Sequence, residues 1–292
     1  MKNEYELKAI FHESNTIFII GAKGAGKTNF VSELMRLLVF LGYEIYTNIH
    51  FFSPDEVPLA CTRGKLPKGI TYLKVPESIH VVYKLSDLLY GLLNPGKKVV
   101  FIDEAGIVSP TGISTDTKTI QALVAIIRHF DCAYAHIAQL KRQVSPSMRK
   151  DFIDYRLKII KCRGGLRKLD IGQRKVVTDE NGEEDIQFPV VDTKRFIPKS
   201  KLPYDGDFPS TFKIDIDLKK ALDEFGQVKS SLELEAGKGK EILDGLMKGP
   251  QPTKKELIIR ALETKPKGTT LKDIANMLGV SHGYVKEISA SK

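Results

Sequence analysis

Residues 21–28 read GAKGAGKT and match the pattern GxxxxGK[ST], whose glycines, lysine and hydroxyl side chain suit a phosphate chain. Backbone N–H groups of such a turn, at the positive end of the following helix, attract phosphates. Lys27 is expected to reach the β- and γ-phosphates, and the Thr28 hydroxyl to ligate Mg²⁺. ATP and Mg²⁺ are therefore the predicted cofactors. The predicted nucleotide contacts are Gly21, Ala22, Lys23, Gly24, Ala25, Gly26, Lys27, Thr28 and Asn29.

Two adjacent carboxylates end a second apolar run, VVFIDEAG, and indicate how the nucleotide is used. Asp103 is expected to hold the metal through its water shell, and Glu104 to orient or deprotonate the attacking water. The alternative is an ordinary solvated strand end, because adjacent carboxylates are costly to desolvate. P-loop kinases take their nucleophile from the substrate and need no water-activating glutamate. Glu104 therefore indicates hydrolysis.

A third polar residue, Gln139, ends the stretch CAYAHIAQ. In the additional-strand branch of P-loop ATPases, the strand at this place lies between the loop strand and the aspartate strand. The class implies that its terminal polar residue senses the γ-phosphate. Gln139 is therefore a predicted catalytic residue, and a capping or turn role is the alternative.

Hydrophobic periodicity indicates the elements that position these residues. Residues 16–20 are β-branched and apolar, as in a buried strand, and residues 27–41 carry leucines at helical spacing before Gly42. Strands and helices alternate up to about residue 162. This alternation predicts an α/β fold with a mainly parallel sheet covered on both faces. From about 163 to 216, short strands between turn signals predict an antiparallel extension.

The chain is expected to contain three regions. Residues 1–216 form the ATPase core. Residues 217–252 form a helix and a flexible linker, because several glycines and a GPQP segment interrupt them. Residues 253–292 are periodic again and predict a C-terminal helix-turn-helix, or winged-helix-like, domain.

The sequence TLKDIANMLGVSHGYVKEI is the basis of this tail prediction. Ala275 permits close helix approach, Gly279 permits a left-handed turn, and Ser281 is placed to cap the second helix. A DNA-reading helix is one interpretation, and a three-helix protein-interaction module is the other. The predicted DNA contacts are Ser281, His282, Tyr284 and Lys286.

Composition restricts the environment and the partners of the protein. Lys and Arg number 45 against 36 Asp and Glu, and the resulting formal charge of +9 favours a polyanion. The 3 scattered cysteines lack CxxC spacing, so neither disulfides nor a zinc site are predicted, and a reducing cytoplasm fits. No stretch is apolar enough to predict a membrane span or a signal peptide.

The segments GAKGAGKT, YTNI, VFIDEAG, IIRHFDCAYAHIAQ and SPSMRKDFIDYRLKI together resemble the FtsK/HerA superfamily of DNA-translocating ATPases. The similarity covers roughly residues 14–162 and is greatest to Zot-like proteins and to genome-packaging ATPases of archaeal and membrane-containing viruses. It implies a RecA-like (ASCE) core, a homo-oligomeric and typically hexameric ring, and ATP-driven movement of double-stranded DNA. The missing Zot membrane segment and HerA barrel favour a minimal viral or plasmid-borne motor in the host cytoplasm.

Rings of this superfamily complete each site with an arginine from the neighbouring subunit. The resemblance makes Arg128, Arg142 and Arg149 the candidates, each with a helix-surface cation as the alternative.

The predicted function is an oligomeric DNA translocase for genome packaging or DNA transfer, acting with capsid or other packaging proteins. The alternatives are an ATP-gated DNA-binding protein of replication initiation or regulation, and a nucleotide-binding scaffold without turnover.

Overall fold

The chain divides into two compact units, Met1–Asp244 and Gly245–Lys292. In the computed structural model of the protein, the described residues are 8–12, 15–103, 107–109, 112–113, 117–138, 152–178, 184–196, 199–207, 211–247, 258, 262, 270–278 and 281–290.

Strands and helices alternate along most of the first unit. The strands are β1 (Thr16–Gly21), β2 (Glu44–Thr47), β3 (Ile79–Val81), β4 (Lys98–Asp103), β5 (Ile107–Ser109), β6 (Gly112–Ile113), β7 (Ala133–Ala138), β8 (Tyr155–Lys161), β9 (Arg167–Gln173), β10 (Lys175–Thr178), β11 (Glu184–Gln187), β12 (Val190–Phe196) and β13 (Phe212–Lys213). The helices of the chain are α1 (Lys27–Phe40), α2 (Val57–Thr62), α3 (Leu85–Leu92), α4 (Thr117–Arg128), α5 (Leu218–Gly226), α6 (Ser231–Glu233), α7 (Gly239–Met247), α8 (Leu271–Leu278) and α9 (His282–Ala290). None of these described helices has the length and apolar character that crossing a membrane requires.

Within the described residues, eight strands form one sheet in the order β12-β9-β8-β1-β7-β4-β2-β3. The strands from β8 to β3 pair in parallel, whereas β9 and β12 continue the sheet as antiparallel neighbours. The predicted α/β fold, with a mainly parallel sheet and an antiparallel extension, is therefore confirmed. Strand β7 lies between β1 and β4, where the additional strand is expected.

The glycine-rich loop connects a buried strand to the helix that covers it. Ile17 and Ile19 of β1 are buried in the main core together with Leu34 and Leu38 of α1. β-branched residues favour the strand, and leucines at helical spacing bury one face of the helix. The chain turns after α1 at Gly42, which has a φ of +84°. The strand and the helix that the sequence predicts on either side of the loop are therefore both present, and both are buried in the main core.

Residues 217–244, predicted as a helix and linker, belong to the first unit. The Asp217 side chain accepts two hydrogen bonds, at 2.9 and 3.1 Å, from backbone N–H groups in the first turn of α5. Lys98 at the start of β4 has a side chain only 2 % exposed, and it donates to Glu235 at 2.9 Å. A buried ammonium needs such a partner. The compact core therefore continues beyond the predicted end at residue 216.

Most of the described residues of the second unit are helical. Its small core consists of Ile258, Ile274, Ala275, Val285 and Ile288. The Oγ atom of Ser281 accepts the N–H of Tyr284 at 3.2 Å, so the predicted cap of α9 is confirmed. Residues 279–280, where the turn is predicted, lie outside the described residues, and the helix-turn-helix stays a prediction.

The central strand β7 carries a buried histidine. The ring of His136 packs on Phe18 with 5.1 Å between centroids, and its Nδ1 lies 3.0 Å from the Tyr134 hydroxyl oxygen. Burial lowers the pKa of His136 from 6.5 to about 4, because the charged ring would lose its hydration. The neutral imidazole is therefore the form that the core accepts.

We expect acidification to destabilise the protein through His136. The unfolded chain binds this proton before the folded chain does as the pH falls from 6.5 to about 4, so stability is lost across that window. The loss approaches about 3 kcal/mol at the acid end. Urea unfolding at several pH values measures it. His136→Asn is the control, because it keeps a polar partner for Tyr134, and equal pH dependence in both proteins would contradict the assignment.

Candidate nucleotide site

Parallel pairing brings the ends of three strands to one edge of the sheet. Ile20 of β1 pairs with Ala138 of β7, and Ile137 pairs with Asp103 of β4. The chain leaves β1 at Gly21 and enters the glycine-rich loop, so this loop and Asp103 lie at the same edge. Ligands of open α/β sheets bind outside this edge.

Glycine is needed in the loop for two different reasons. Gly24 and Gly26 have φ values of 71° and 88°, in the left-handed region that other residues rarely adopt. A Cβ atom at Gly21 would lie 2.8 Å from the carbonyl oxygen of Ile159 on β8. The loop therefore turns sharply and packs closely before α1 begins at Lys27.

The Lys27 side chain lies within this loop. Its Nζ donates to the carbonyl oxygens of Gly21 at 3.1 Å and Ala22 at 3.5 Å, and the residue is buried. The ammonium is thus held at the start of α1, where the helix adds partial positive charge. This arrangement suits an anion that accepts several hydrogen bonds, such as a phosphate chain.

Thr28 and Asp103 bring two oxygen-bearing side chains together that could hold a metal ion. Thr28 Oγ1 donates to Asp103 Oδ2 at 3.3 Å and so joins α1 to β4. In the part of the chain that the structure describes, no group of three or more His, Cys, Asp or Glu could hold a metal. Mg²⁺ does not need such a group, because it keeps several waters and binds substrate phosphates. A hydroxyl and a carboxylate therefore fit this ion.

Asn48 fixes the end of β4, a role that was not predicted from the sequence. This buried residue donates from Nδ2 to the Asp103 carbonyl at 3.1 Å and accepts the Asp103 N–H on Oδ1 at 2.8 Å. The two bonds hold the aspartate backbone in place beside Thr28. The available signal was a polar residue directly after strand β2, at the functional edge of the sheet.

Arg167 contacts the glycine-rich loop from the antiparallel extension, and this contact was also not predicted from the sequence. It begins β9, is buried, and donates from Nε to the Ala25 carbonyl at 2.7 Å. The bond joins residues 142 positions apart, so no local pattern could reveal it. The antiparallel extension thereby contacts the glycine-rich loop directly.

The structure leaves some predicted residues untested and assigns contacts to others. Those outside the described residues are Glu104, Gln139, Arg142 and Arg149. Within the loop, Ala22, Lys23 and Gly24 are exposed. The Asn29 side chain, predicted to contact nucleotide, donates instead to the Tyr204 hydroxyl oxygen at 2.7 Å.

Arg128 lies at the opposite edge of the sheet from the loop. Its Nη2 donates to Thr16 Oγ1 at 3.2 Å and to the Phe152 carbonyl at 3.0 Å, and it pairs with Asp154 at 3.4 Å. Thr16 begins β1, whereas Gly21 ends it. Within its own chain, Arg128 therefore fastens the starts of two strands.

The predicted DNA contacts of the tail are exposed in the second unit. They lie on α9 or at its cap, and they are Ser281, His282, Tyr284 and Lys286. Exposed hydroxyl, imidazole and ammonium groups can contact either nucleic acid or protein, so the structure keeps both interpretations of the tail.

We expect Asn48→Ala to weaken the binding of Mg²⁺-ATP. The substitution removes both hydrogen bonds to the Asp103 backbone, so the carboxylate is no longer held beside Thr28. A lost hydrogen bond of about 1 kcal/mol or slightly more corresponds to roughly tenfold in dissociation constant. Calorimetric titration with Mg²⁺-ATP, and with ATP in EDTA, measures the effect, which should appear only with the metal.

Asn15→Ala is the matched control for this experiment. Asn15 also donates two hydrogen bonds to backbone oxygens, those of Ala9 and Ile10 at 3.1 Å each, but it precedes β1 at the opposite edge. Equal losses in the two variants, or an equal loss without Mg²⁺, would contradict the role of Asn48.

No protein-family model matches the chain, and no curated protein matches it significantly. Several solved structures align with part of the chain. The RadB recombinase is 14% identical with a TM-score of 0.39, over 65% of this chain and 92% of its own. The DNA-packaging ATPase of Sulfolobus Turreted Icosahedral Virus is 15% identical with a TM-score of 0.35, over 61% and 99%. The N-terminal domain of zonular occludens toxin from Neisseria meningitidis is 16% identical with a TM-score of 0.32, over 62% and 95%. Similarity at this level assigns the chain to no family.

Proposed function

We propose that this protein is a RecA-like P-loop ATPase that hydrolyses Mg²⁺-ATP. The observation that carries the proposal is the meeting of Lys27, Thr28 and Asp103 at one edge of a parallel sheet. A lysine inside a glycine-rich loop serves the phosphates, and a hydroxyl beside a carboxylate serves the metal. The position of β7 between β1 and β4 supports the additional-strand class.

In this proposal, different residues bind the phosphates, hold the metal and activate the attacking water. The loop N–H groups and Lys27 bind the β- and γ-phosphates, while Thr28 and Asp103 hold Mg²⁺. The metal, when bound, neutralises charge on the phosphates. Glu104 directly follows Asp103 and orients the attacking water. Gln139 directly follows β7 and senses the γ-phosphate in this proposal.

We further infer that the ATPase is an oligomeric motor that moves double-stranded DNA. Support comes from the formal charge of +9, from the resemblance of its motifs to DNA-translocating ATPases, and from exposed polar groups on α9. A hexameric ring of identical chains would enclose the duplex and act with capsid or other packaging proteins. ATP-gated DNA binding without translocation is the competing function.

A neighbouring subunit completes each site of such a ring with an arginine. Arg128 is bound within its own chain by Thr16, Phe152 and Asp154. These contacts favour a structural role for Arg128. The proposal therefore gives the trans-acting role to one of the two other candidates, Arg142 or Arg149.

We expect Lys27→Ala to abolish nucleotide binding and Glu104→Gln to keep binding while losing hydrolysis. The lysine contacts the phosphates, whereas the glutamate acts on water. Binding of a fluorescent ATP analogue and release of phosphate measure the two steps. Lys74→Ala is the control, because that side chain is 74% exposed on the surface. Turnover of Glu104→Gln at the wild-type rate would remove Glu104 from the mechanism, and tight binding by Lys27→Ala would remove the loop.

We expect a chain that ends at Met247 to hydrolyse ATP but to bind duplex DNA more weakly. The first unit contains the nucleotide site, and the second contains the exposed groups of α9. Fluorescence anisotropy with a labelled duplex at rising salt measures the difference, which should shrink as counterions compete for the phosphates. The full-length Lys286→Glu variant tests the same surface without truncation. Unchanged affinity in both proteins would indicate a protein-interaction tail.

A further inference from the structure

Residues 199–207, here named the strap, cross the first turn of α1. The Asn29 side chain uses both of its polar atoms on the strap: Nδ2 donates to the Tyr204 hydroxyl oxygen at 2.7 Å, and Oδ1 accepts the Ser200 N–H at 3.2 Å. Asn29 directly follows Thr28, the residue that contacts Asp103. The strap is therefore attached one residue away from the metal-binding hydroxyl.

The strap has further attachments on both sides. On α1, one turn beyond Asn29, the Glu33 carboxylate accepts the Lys201 N–H at 2.6 Å. On the other side, the Pro203 carbonyl accepts the Phe52 N–H at 2.7 Å, and the Asp205 N–H donates to the carbonyl of His50 at 2.8 Å. These backbone bonds fix the strap to the segment that follows strand β2.

That segment begins with Asn48, which holds the Asp103 backbone by two hydrogen bonds. The strap thus reaches Thr28 through Asn29, and it reaches Asp103 through the chain from His50 back to Asn48. Both oxygen groups of the proposed metal site are linked to the same short piece of chain.

The neighbours of the strap in the sequence extend this connection. It follows β12, the outermost strand of the antiparallel extension. It precedes β13, which pairs in parallel with β5, the first strand after Asp103, through Phe212 and Ile107. The strap therefore lies between the extension and the strand that follows the proposed catalytic carboxylates.

The Tyr204 phenol is suited to a fixed structural bond. Burial raises its pKa to about 12, and the neighbouring Tyr72 and Asp103 contribute to the increase. The hydroxyl thus stays protonated at neutral pH and accepts the amide hydrogen of Asn29 as a neutral group. Replacing Tyr204 by Phe removes this acceptor and keeps the ring.

We propose that Asn29 and Tyr204 are positioning residues, which align Thr28 with Asp103 for hydrolysis and transmit the state of the site to the strap and the extension. This inference rests on the proposed ATPase function. Nucleotide binding draws the phosphate loop, Thr28 and Asp103 around one ligand. The strap, attached to both, becomes more tightly held as a result.

Steady-state kinetics of Tyr204→Phe, Asn29→Ala and the double variant test the positioning role. We expect kcat to fall roughly tenfold in Tyr204→Phe, the effect of one positioned hydrogen bond, while KM changes by less than about twofold. The double variant should be no slower than Asn29→Ala, because both substitutions break the same bond. Wild-type kcat in Tyr204→Phe, or additive losses in the double variant, would overturn the proposal.

Tyr90→Phe is the matched control for these kinetics. It also removes a phenol hydrogen bond, the one from Tyr90 to Asp244 at 2.5 Å, but on α3 instead of at the nucleotide site. It is expected to keep the wild-type kcat. A loss equal to that of Tyr204→Phe would show a general stability effect and would overturn the specific role of Tyr204.

Hydrogen exchange tests transmission separately from catalysis. With Mg²⁺ and the non-hydrolysable analogue AMP-PNP, we expect slower exchange in peptides containing the Lys201 and Asp205 amides, and no such change in Tyr204→Phe although it binds the analogue. Unchanged exchange in wild-type protein that binds AMP-PNP would overturn the inference alone. Failure of the wild type to bind AMP-PNP would refute the proposed function and this inference with it.

Discussion

The parallel pairing of β1, β7 and β4 is the constraint on which the rest of the molecule depends. It brings Gly21 and Asp103 to one edge of the sheet although a long stretch of chain separates them. In this register Ile17 and Ile19 belong to the same buried cluster as Leu34 and Leu38 of α1, and a shift of one residue would turn both isoleucines to the other face of the sheet. The hydrogen bond of 3.3 Å between Thr28 and Asp103 follows from this register.

Partners from distant parts of the chain hold the residues of the site. Asn48 binds the Asp103 backbone, Arg167 binds the Ala25 carbonyl, and Tyr204 binds Asn29. Such supports preorganise a site, because the charged groups need not be reordered when the ligand arrives. Arg167 lies in β9, and Tyr204 lies in the strap, which follows β12. Movement of the antiparallel extension would therefore displace residues of the proposed nucleotide site.

Local patterns suffice to predict the elements that carry the chemistry. Apolar β-branched residues before Gly21 indicate β1, and spaced leucines indicate α1. Local patterns do not place the helices after residue 217 in the core, because their glycines suggest a linker. Contacts with distant residues place them there, such as the buried bond from Lys98 to Glu235 and the packing of Phe225 on Phe130. Asn48 and Arg167 were missed for the same reason: a side chain whose partner lies far along the chain leaves no local pattern.

Determining the structure of the full chain with AMP-PNP and Mg²⁺ would test the central claim most directly. The account predicts that the phosphates lie in the loop of residues 21–28 beside Lys27, and that the Thr28 hydroxyl and, through the water shell, the Asp103 carboxylate hold the metal. A nucleotide bound elsewhere, or a metal that contacts neither of these two side chains, would contradict it.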